Sequence, residues 1–406
     1  MIRILFYNHT GKVSGAEKML LLILARLDRN RFESVVLCPD DDTLARDVQE
    51  LGLNTESCPD LNARFTVRVD LIVKYLQSFA QVIRSVRATV MKVQPDLVHA
   101  NSIRAGLVVS AATIGLKTRV VWHLHDLLPA HPLSILIRGF ALLFPRTRMV
   151  AVSQAVADNF GGRFTSLRDR VSVILNGIDT EKFAPVAGRR EETRKELGFD
   201  ESEFVVGIVG LLTARKGQLG LIQSFAQVLR RVPKAKLLIV GGSVFNKDAE
   251  YEALLKTTAK DLGISDRVQF LGVRHDVPAI MQSLDLFVAN SSVEPFGLVI
   301  VEALSAGAPV LSAISGGIPE VVQCGRSGWL IEYGDEALMT EAIVKLAQTP
   351  RIREKLSEEG KKRSRKFTAA RFMDELQTFY EARTELRTLK SSQDSAMPQS
   401  ARAKIA

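Results

Sequence analysis

Two glutamates stand eight apart in the stretch Glu294 to Pro309, EPFGLVIVEALSAGAP, with a proline, a phenylalanine, a glycine and four aliphatic residues between them. The preceding LDLFVAN reads as a strand, SSVE as a loop, and a helix is predicted to begin near Phe296. Pro295 suits a first helical turn, and an acid is favoured just ahead of it. The first amides of such a helix have no internal acceptor and offer an anion site, which Gly297 lets a ligand approach closely. Glu302 then lies six residues in, roughly 9 Å along the axis. Carboxylates that far apart, with a phosphate pocket between them, suit a ligand with hydroxyls at both ends and phosphates in the middle. The plainer alternative is an acid at a helix start and a surface glutamate.

Other strand ends carry similar groups. GLLTARKGQ, Gly210 to Gln218, follows the strand FVVGIVG and sets Arg215, Lys216 and Gly217 where a diphosphate needs charge balance. A solvated cation pair is the alternative there. ISGGIPEVVQCGRSGWL repeats a glycine pair with a glutamate, Glu320, close behind. In VVWHLHDLLP, His123 and His125 are two apart on a strand and point the same way, with Asp126 beside them. The bland reading is a pair of satisfied core histidines. NHTGKVSGAEK joins the first strand to the first helix through Gly11 and Gly15, and Glu17 reads equally as a first-turn acid. Its Gly-Lys lacks the Walker spacing. PDDDT at 39–43 mimics a metal-binding Asp-x-Asp, but it precedes the helical TLARDVQELG, whose start favours acids. No zinc, calcium or flavin pattern is present.

These loops need a scaffold. The chain has 406 residues, 46% hydrophobic and 24% charged, which suits two soluble globular domains. No apolar run reaches the roughly 18 residues of a membrane span. The start reads as a first strand, not a signal peptide. Three cysteines without paired spacing imply neither disulfides nor zinc, and a cytoplasmic location is expected. Strands are predicted at IRILFYN, ESVVLCP, DLVHAN, TRVVWHLHD, RMVAVS and VSVILNG, then at FVVGIVG, AKLLIVGG, RVQFLG, LDLFVAN and APVLSA. Helical stretches separate them, the pattern of two doubly wound α/β domains with parallel sheets. In such sheets ligands bind beyond the carboxyl ends of the strands. No G-x-G-x-x-G follows the first strand, which argues against a hydride-transferring enzyme.

The order of these segments closely resembles glycosyltransferase family 4: SGAEKML, HDLLP, VSQAVADNF, VILNGIDTEKFAP, ARKG, FLGVRHD, SSVEPFGLVIVEALSAGAPV and SGGIPEVV. That family comprises retaining, nucleotide-sugar-dependent enzymes of GT-B architecture, two Rossmann-like domains with an interdomain cleft. The resemblance implies an acceptor-binding domain over 1–180 and a donor-binding domain over 181–365. It further implies a helix at 366–390 packing back on the first domain, while the small, polar composition of 391–406 predicts a disordered tail. Glu302 would hold the donor ribose, and Glu294 the donor sugar beside the reacting carbon. Amides of Phe296, Gly297 and Leu298 would meet sugar or phosphate. Arg215 and Lys216 would clamp the diphosphate, and Gly272, Val273 and Arg274 would hold the base. His125 would bond a sugar hydroxyl, with His123 and Asp126 nearby. Gly15 would approach the donor, and Glu17 and Glu320 are further candidates. The family works without a metal or other cofactor, because the nucleotide sugar is a substrate. One departure stands out: Leu211 occupies the place where the family commonly has arginine. A nucleotide-sugar 2-epimerase and an inactive sugar-nucleotide-binding scaffold share the architecture and are the alternatives.

Residues 1–180 carry 22 Lys/Arg against 16 Asp/Glu, and residues 360–406 carry 11 against 5, within a net charge of +9. This basic excess points to an anionic partner, such as the inner face of the plasma membrane or a phosphate-bearing ligand. Nucleic acid is not expected, for want of a recognition motif. Residues 64–90 set Phe65, Val69, Ile72, Leu76, Phe79, Ile83, Val86 and Val90 on one helical face, with Arg64, Arg68, Lys74, Arg84 and Arg87 around it. PLSILIRGFALLFP at 132–145 is a second apolar stretch. Either packs on the first sheet or touches a membrane. The acceptor is expected to be a glycan or a lipid-linked glycan of cell-surface polysaccharide or glycolipid synthesis.

Overall fold

The computed structural model describes residues 1–40, 43–61, 69–242 and 246–395, and their side chains except at 69–74, 246–249 and 385–395. It forms two compact units. The first comprises Met1–Val152, Val156–Ile174 and the chain from Phe372, and the second comprises Leu175–Arg371 with Ser153–Ala155.

In the first unit, seven strands follow in chain order: β1 (Ile2–Tyr7), β2 (Phe32–Cys38), β3 (Thr55–Ser57), β4 (Leu97–Ala100), β5 (Arg119–Leu124), β6 (Arg148–Ala151) and β7 (Val171–Val173). They pair in parallel in the order β3-β2-β1-β4-β5-β6-β7. The second unit holds β8 (Phe204–Val209), β9 (Ala235–Val240), β10 (Val268–Gly272), β11 (Leu286–Ala289), β12 (Val310–Ala313) and β13 (Trp329–Ile331), ordered β10-β9-β8-β11-β12-β13. The order reverses between β1 and β4 in one sheet and between β8 and β11 in the other. At such switch points a crevice opens outside the carboxyl ends of the strands. Two strands, β3 and β13, were not anticipated. Both are three-residue edge strands, too short to show a period of two.

Strands buried on both faces read as continuous apolar runs, as β1 and β9 do. The helix Ala369–Ser395 returns to the first unit, with Phe372, Leu376 and Tyr380 fully buried, each side chain worth about 1.5–3 kcal/mol. Tyr380 bonds His99 Nδ1 at 2.7 Å and packs edge-on against Phe6 and Phe32. The helix extends to Ser395, into the segment expected to be a disordered tail, and 396–406 lie outside the described residues.

The amphipathic stretch folds as a helix over Val69–Val93 and buries Val86 and Val90 of the row anticipated, joined by Val82 from outside that row. Val82, Val86 and Val90, spaced by four, pack inward, whereas Leu76 is 65% exposed. Arg87 donates to the carbonyls of Ala112 and Ile114, closing the end of the helix Ile103–Ala112. Phe65, Arg64 and Arg68 lie outside the described residues, as do the side chains of Val69, Ile72 and Lys74. The Asp-x-Asp mimic precedes the helix Thr43–Glu50, and Asp41 and Asp42 are likewise outside. Among the described residues no helix is long and apolar enough to cross a membrane, and no side-chain cluster could hold a metal ion.

The interior of the first unit is rich in imidazole. Burial pushes His99 and His125 down to about 3, and burial with Arg104 nearby lowers His9 to about 4. His123 is also held well below its ordinary value, first by burial and then by its two histidine neighbours. An unfolded chain binds these protons from about pH 6.5 downward while the folded chain refuses them. Stability contributed by the neutral rings is therefore complete above about 6.5 and drains as pH falls toward 4 and 3. We expect the urea midpoint to drop markedly between pH 7.5 and 5.0. Among the described residues neither ring nitrogen of His123 has a partner, and the ring stacks on Phe372 at 6.4 Å. His123→Phe is therefore expected to hold stability at pH 7.5 and flatten the acid loss. An unchanged slope would assign that loss to other groups.

Candidate functional site

In the second unit, the loops after β8 and β11 meet at the switch point. Gly217 sits at φ +70°, and a Cβ there would lie 2.0 Å from the carbonyl oxygen of Asn290. Only glycine allows this approach. The two loops are then stitched together. Asn290 Nδ2 donates to the Gly217 carbonyl at 2.9 Å, and the Ser292 amide donates to the Arg215 carbonyl at 2.9 Å. Arg215, exposed, reaches the Val293 carbonyl at 3.2 Å. Lys216 Nζ meets Glu294 Oε2 at 2.6 Å, and Ser291 Oγ donates to the same oxygen at 3.2 Å. The ion pair is largely shielded, with side-chain exposures of 17% and 12%.

The helix behind Glu294 starts later than the sequence suggested. It spans Leu298–Ser305, so Pro295 stands ahead of it and not in its first turn, and Glu302 is its fifth residue. Gly297 causes the delay: it caps the helix at φ +98°, a left-handed conformation that cannot continue a right-handed helix backward. Phe296 turns its ring into the core, edge-on to Phe367 at 5.7 Å, which leaves only its backbone available. Among the described residues, the amides of Phe296, Gly297 and Leu298 have no acceptor in the chain. These three amides follow directly on Pro295 and on Glu294, whose carboxylate holds the Lys216 ammonium, and amides of this kind are able to take an anion.

Gly272 lies at φ +65° with nothing near its missing side chain, and Val273 is 69% exposed. Arg274 is held by Asp276 through two hydrogen bonds of 2.8 and 2.6 Å and by Glu196 at 2.9 Å, so its guanidinium is already engaged. Glu320 is engaged too: its two oxygens accept from the amides of Gln154 and Ala155 at 2.7 and 2.9 Å.

In the first unit, His125 follows β5 directly and is buried, with Nε2 3.1 Å from Asn101 Oδ1. His123 lies within the core, its ring centroid 4.0 Å from that of His125. Asp126 is exposed. Glu17 is buried and shared out: Oε2 accepts from the Ser14 amide and hydroxyl at 3.0 and 2.6 Å, and Oε1 from Asn8 Nδ2 at 3.2 Å. Nothing lies within 4 Å of where a Cβ on Gly15 would stand, so crowding within the chain does not require glycine there. Sequence reasoning passed over Asn8 and Asn101. Each directly follows an apolar strand, in FYN and HAN, the position from which His125 was picked out.

Comparison with known proteins accounts for nearly the whole chain. A family model described as Glycosyltransferase Family 4 matches residues 13–182, and one described as Glycosyl transferases group 1 matches residues 189–363. The crystal structure of Anabaena HepE in complex with UDP-glucose is 28% identical with a TM-score of 0.80, covering 94% of this chain and all of that one. The D-inositol 3-phosphate glycosyltransferase of Corynebacterium kroppenstedtii is 29% identical over 316 residues, 71% of this chain and 68% of the relative. The mannosylfructose-phosphate synthase of Agrobacterium fabrum is 32% identical over 233 residues, 55% of this chain and 50% of the relative. For most of the curated relatives, the chain spans about half their length. With two parallel α/β sheets of GT-B type and both models matched in order, the chain belongs to glycosyltransferase family 4.

Proposed function

We propose that this protein transfers a hexose-type sugar from a nucleoside-diphosphate sugar to a glycan or lipid-linked acceptor, with retention at the anomeric carbon. The observation that carries this reading is the Lys216–Glu294 pair beside the three free amides at Phe296–Leu298. In the chain alone Lys216 neutralises Glu294. A diphosphate competes for Lys216, which then balances the leaving charge, and Glu294 is released to a sugar hydroxyl. Glu302 takes the ribose hydroxyls, and the backbone from Gly272 to Arg274 takes the base. Gly15, bare of neighbours, admits the donor to the amides around it. His125 bonds a donor hydroxyl. A leaving-phosphate oxygen takes the acceptor's proton as the acceptor oxygen attacks the same face, so no protein nucleophile is needed. HepE binds UDP-glucose, which makes a uridine nucleotide the first donor to test.

Loss of the family's arginine at Leu211 leaves the clamp one cation short. Arg215 stands on the same loop, and its guanidinium reaches the segment next to Glu294. We assign it the missing charge. The acceptor side falls to the first unit, where Ile135, Leu136 and Leu143 are exposed on and just beyond the helix Pro132–Leu142. Arg138 is not a free surface cation there, since it donates to the carbonyls of Phe160 and Asn159. The apolar group and the basic excess of residues 1–180 support attachment to an anionic membrane that carries the acceptor.

A thermal-shift screen against UDP-, GDP- and ADP-sugars tests the core of this reading. One nucleotide class is expected to raise the Tm, and a flat response to every nucleotide rejects the function. With the donor so identified, Lys216→Met and Glu294→Gln are each expected to lower kcat by about 10²–10³ while the circular dichroism is unchanged. Full turnover in either variant would overturn the site. Arg215→Ala is expected to weaken donor binding, and adding Leu211→Arg to restore it. Unchanged donor binding in Arg215→Ala removes Arg215 from the clamp. Vesicles containing anionic phospholipid are expected to sediment the protein at low salt and release it as salt rises. Absence of binding at low salt rejects membrane attachment.

A further inference from the structure

Three adjacent strands of the first sheet, β1, β4 and β5, each run into a buried polar residue just past their carboxyl ends: Asn8, Asn101 and His125. The hydrogen bonds among them have a direction. Asn8 Nδ2 lies 2.6 Å from the Thr10 carbonyl and 3.2 Å from Glu17 Oε1. Carbonyl and carboxylate oxygens only accept, so the amide nitrogen must face them and Oδ1 must face away. That Oδ1 accepts from Asn101 Nδ2 at 2.9 Å, and the same nitrogen donates to the Ala16 carbonyl at 3.2 Å. Asn101 is thereby turned in the same sense, and its Oδ1 is the atom presented to His125 Nε2 at 3.1 Å. Glu17, the origin of this polarity, is itself fixed by the amide and hydroxyl of Ser14.

An amide oxygen across 3.1 Å requires a proton on the facing nitrogen. The buried ring is neutral at working pH and carries one proton. We propose that Asn101, oriented by Asn8, Glu17 and the Ala16 carbonyl, is a positioning residue that fixes His125 as its Nε2–H tautomer, leaving Nδ1 able only to accept a hydrogen bond. The consequence for substrate choice rests on the function proposed above. The donor hydroxyl that meets His125 must donate its hydrogen bond to Nδ1. A fluorine at that carbon, which cannot donate, serves no better than a hydrogen.

The test reads the imidazole directly and needs no substrate. In the full chain labelled with 15N-histidine, with His125 assigned through His125→Gln, Nε2 is expected at the protonated shift and Nδ1 at the bare one. In Asn101→Leu, which removes the acceptor, the two shifts are expected to converge as the tautomers exchange. Asn101→Asp keeps an acceptor and is expected to keep the Nε2–H form. Wild-type protein carrying its proton on Nδ1 overturns the proposal. So does Asn101→Leu with an unshifted His125 spectrum, which would make the network a structural brace alone. Should Asn101→Leu fail to fold, the wild-type and Asn101→Asp spectra still decide. For turnover, Asn101→Leu is expected to lower kcat about tenfold, the worth of one misplaced hydrogen bond, with little change in KM. Full activity in His125→Gln removes the catalytic reading of His125, and the spectra judge the tautomer independently.

Discussion

The candidate site depends on the closeness of two loops at a reversal of strand order. Sheet β10-β9-β8-β11-β12-β13 brings the ends of β8 and β11 side by side, and the absence of a side chain at Gly217 lets the loops touch. Everything charged at the site follows from that contact. Lys216 precedes Gly217 on one loop, and Glu294 lies four residues beyond Asn290 on the other. Their ion pair costs desolvation on both sides and is compensated by its 2.6 Å geometry and the Ser291 hydroxyl. In the function proposed here, a pair this shielded holds both groups ready without fixing them for good. An anion that satisfies the ammonium frees the carboxylate.

The first unit solves a different problem with the same topology. Its polar groups at the switch point are neutral asparagines and histidines, buried deeply enough that every orientation matters. Backbone carbonyls and one carboxylate impose the order on them. Where no such partner is found among the described residues, as at His123, the ring packs against those of His99, His125 and Phe372. His123 and His125 are two residues apart on one side of a strand, yet the chain has assigned one to the core and the other to a polar network.

Much of this was legible in the sequence because parallel sheets announce themselves. Apolar runs ending in glycine or charge located the longer strands and the loops that follow them, and Arg215, Lys216, Glu294 and His125 were proposed as site residues on that ground. Two three-residue edge strands escaped, since neither TES nor WLI repeats often enough to be distinguished from a loop. The start of the helix after Glu294 was placed too early because a left-handed glycine leaves no trace in a hydrophobic pattern. The inward row of the helix Val69–Val93 was set by packing against Ile103–Ala112, which a helical repeat alone does not reveal. Asn8 and Asn101 are 93 positions apart, and their meeting could be read only after β1 was known to lie beside β4.

The chain visits the second unit and then comes home, and this has a consequence for biosynthesis. Residues emerging first from the ribosome build a sheet whose aromatic layer remains unfinished until Phe372, Leu376 and Tyr380 arrive some two hundred residues later. The second unit, apart from the short segment Ser153–Ala155, is continuous in sequence and complete before that point. The half made first is thus the half sealed last. A ribosome that stalls within the last helix leaves a finished second unit tethered to an open, aggregation-prone first one.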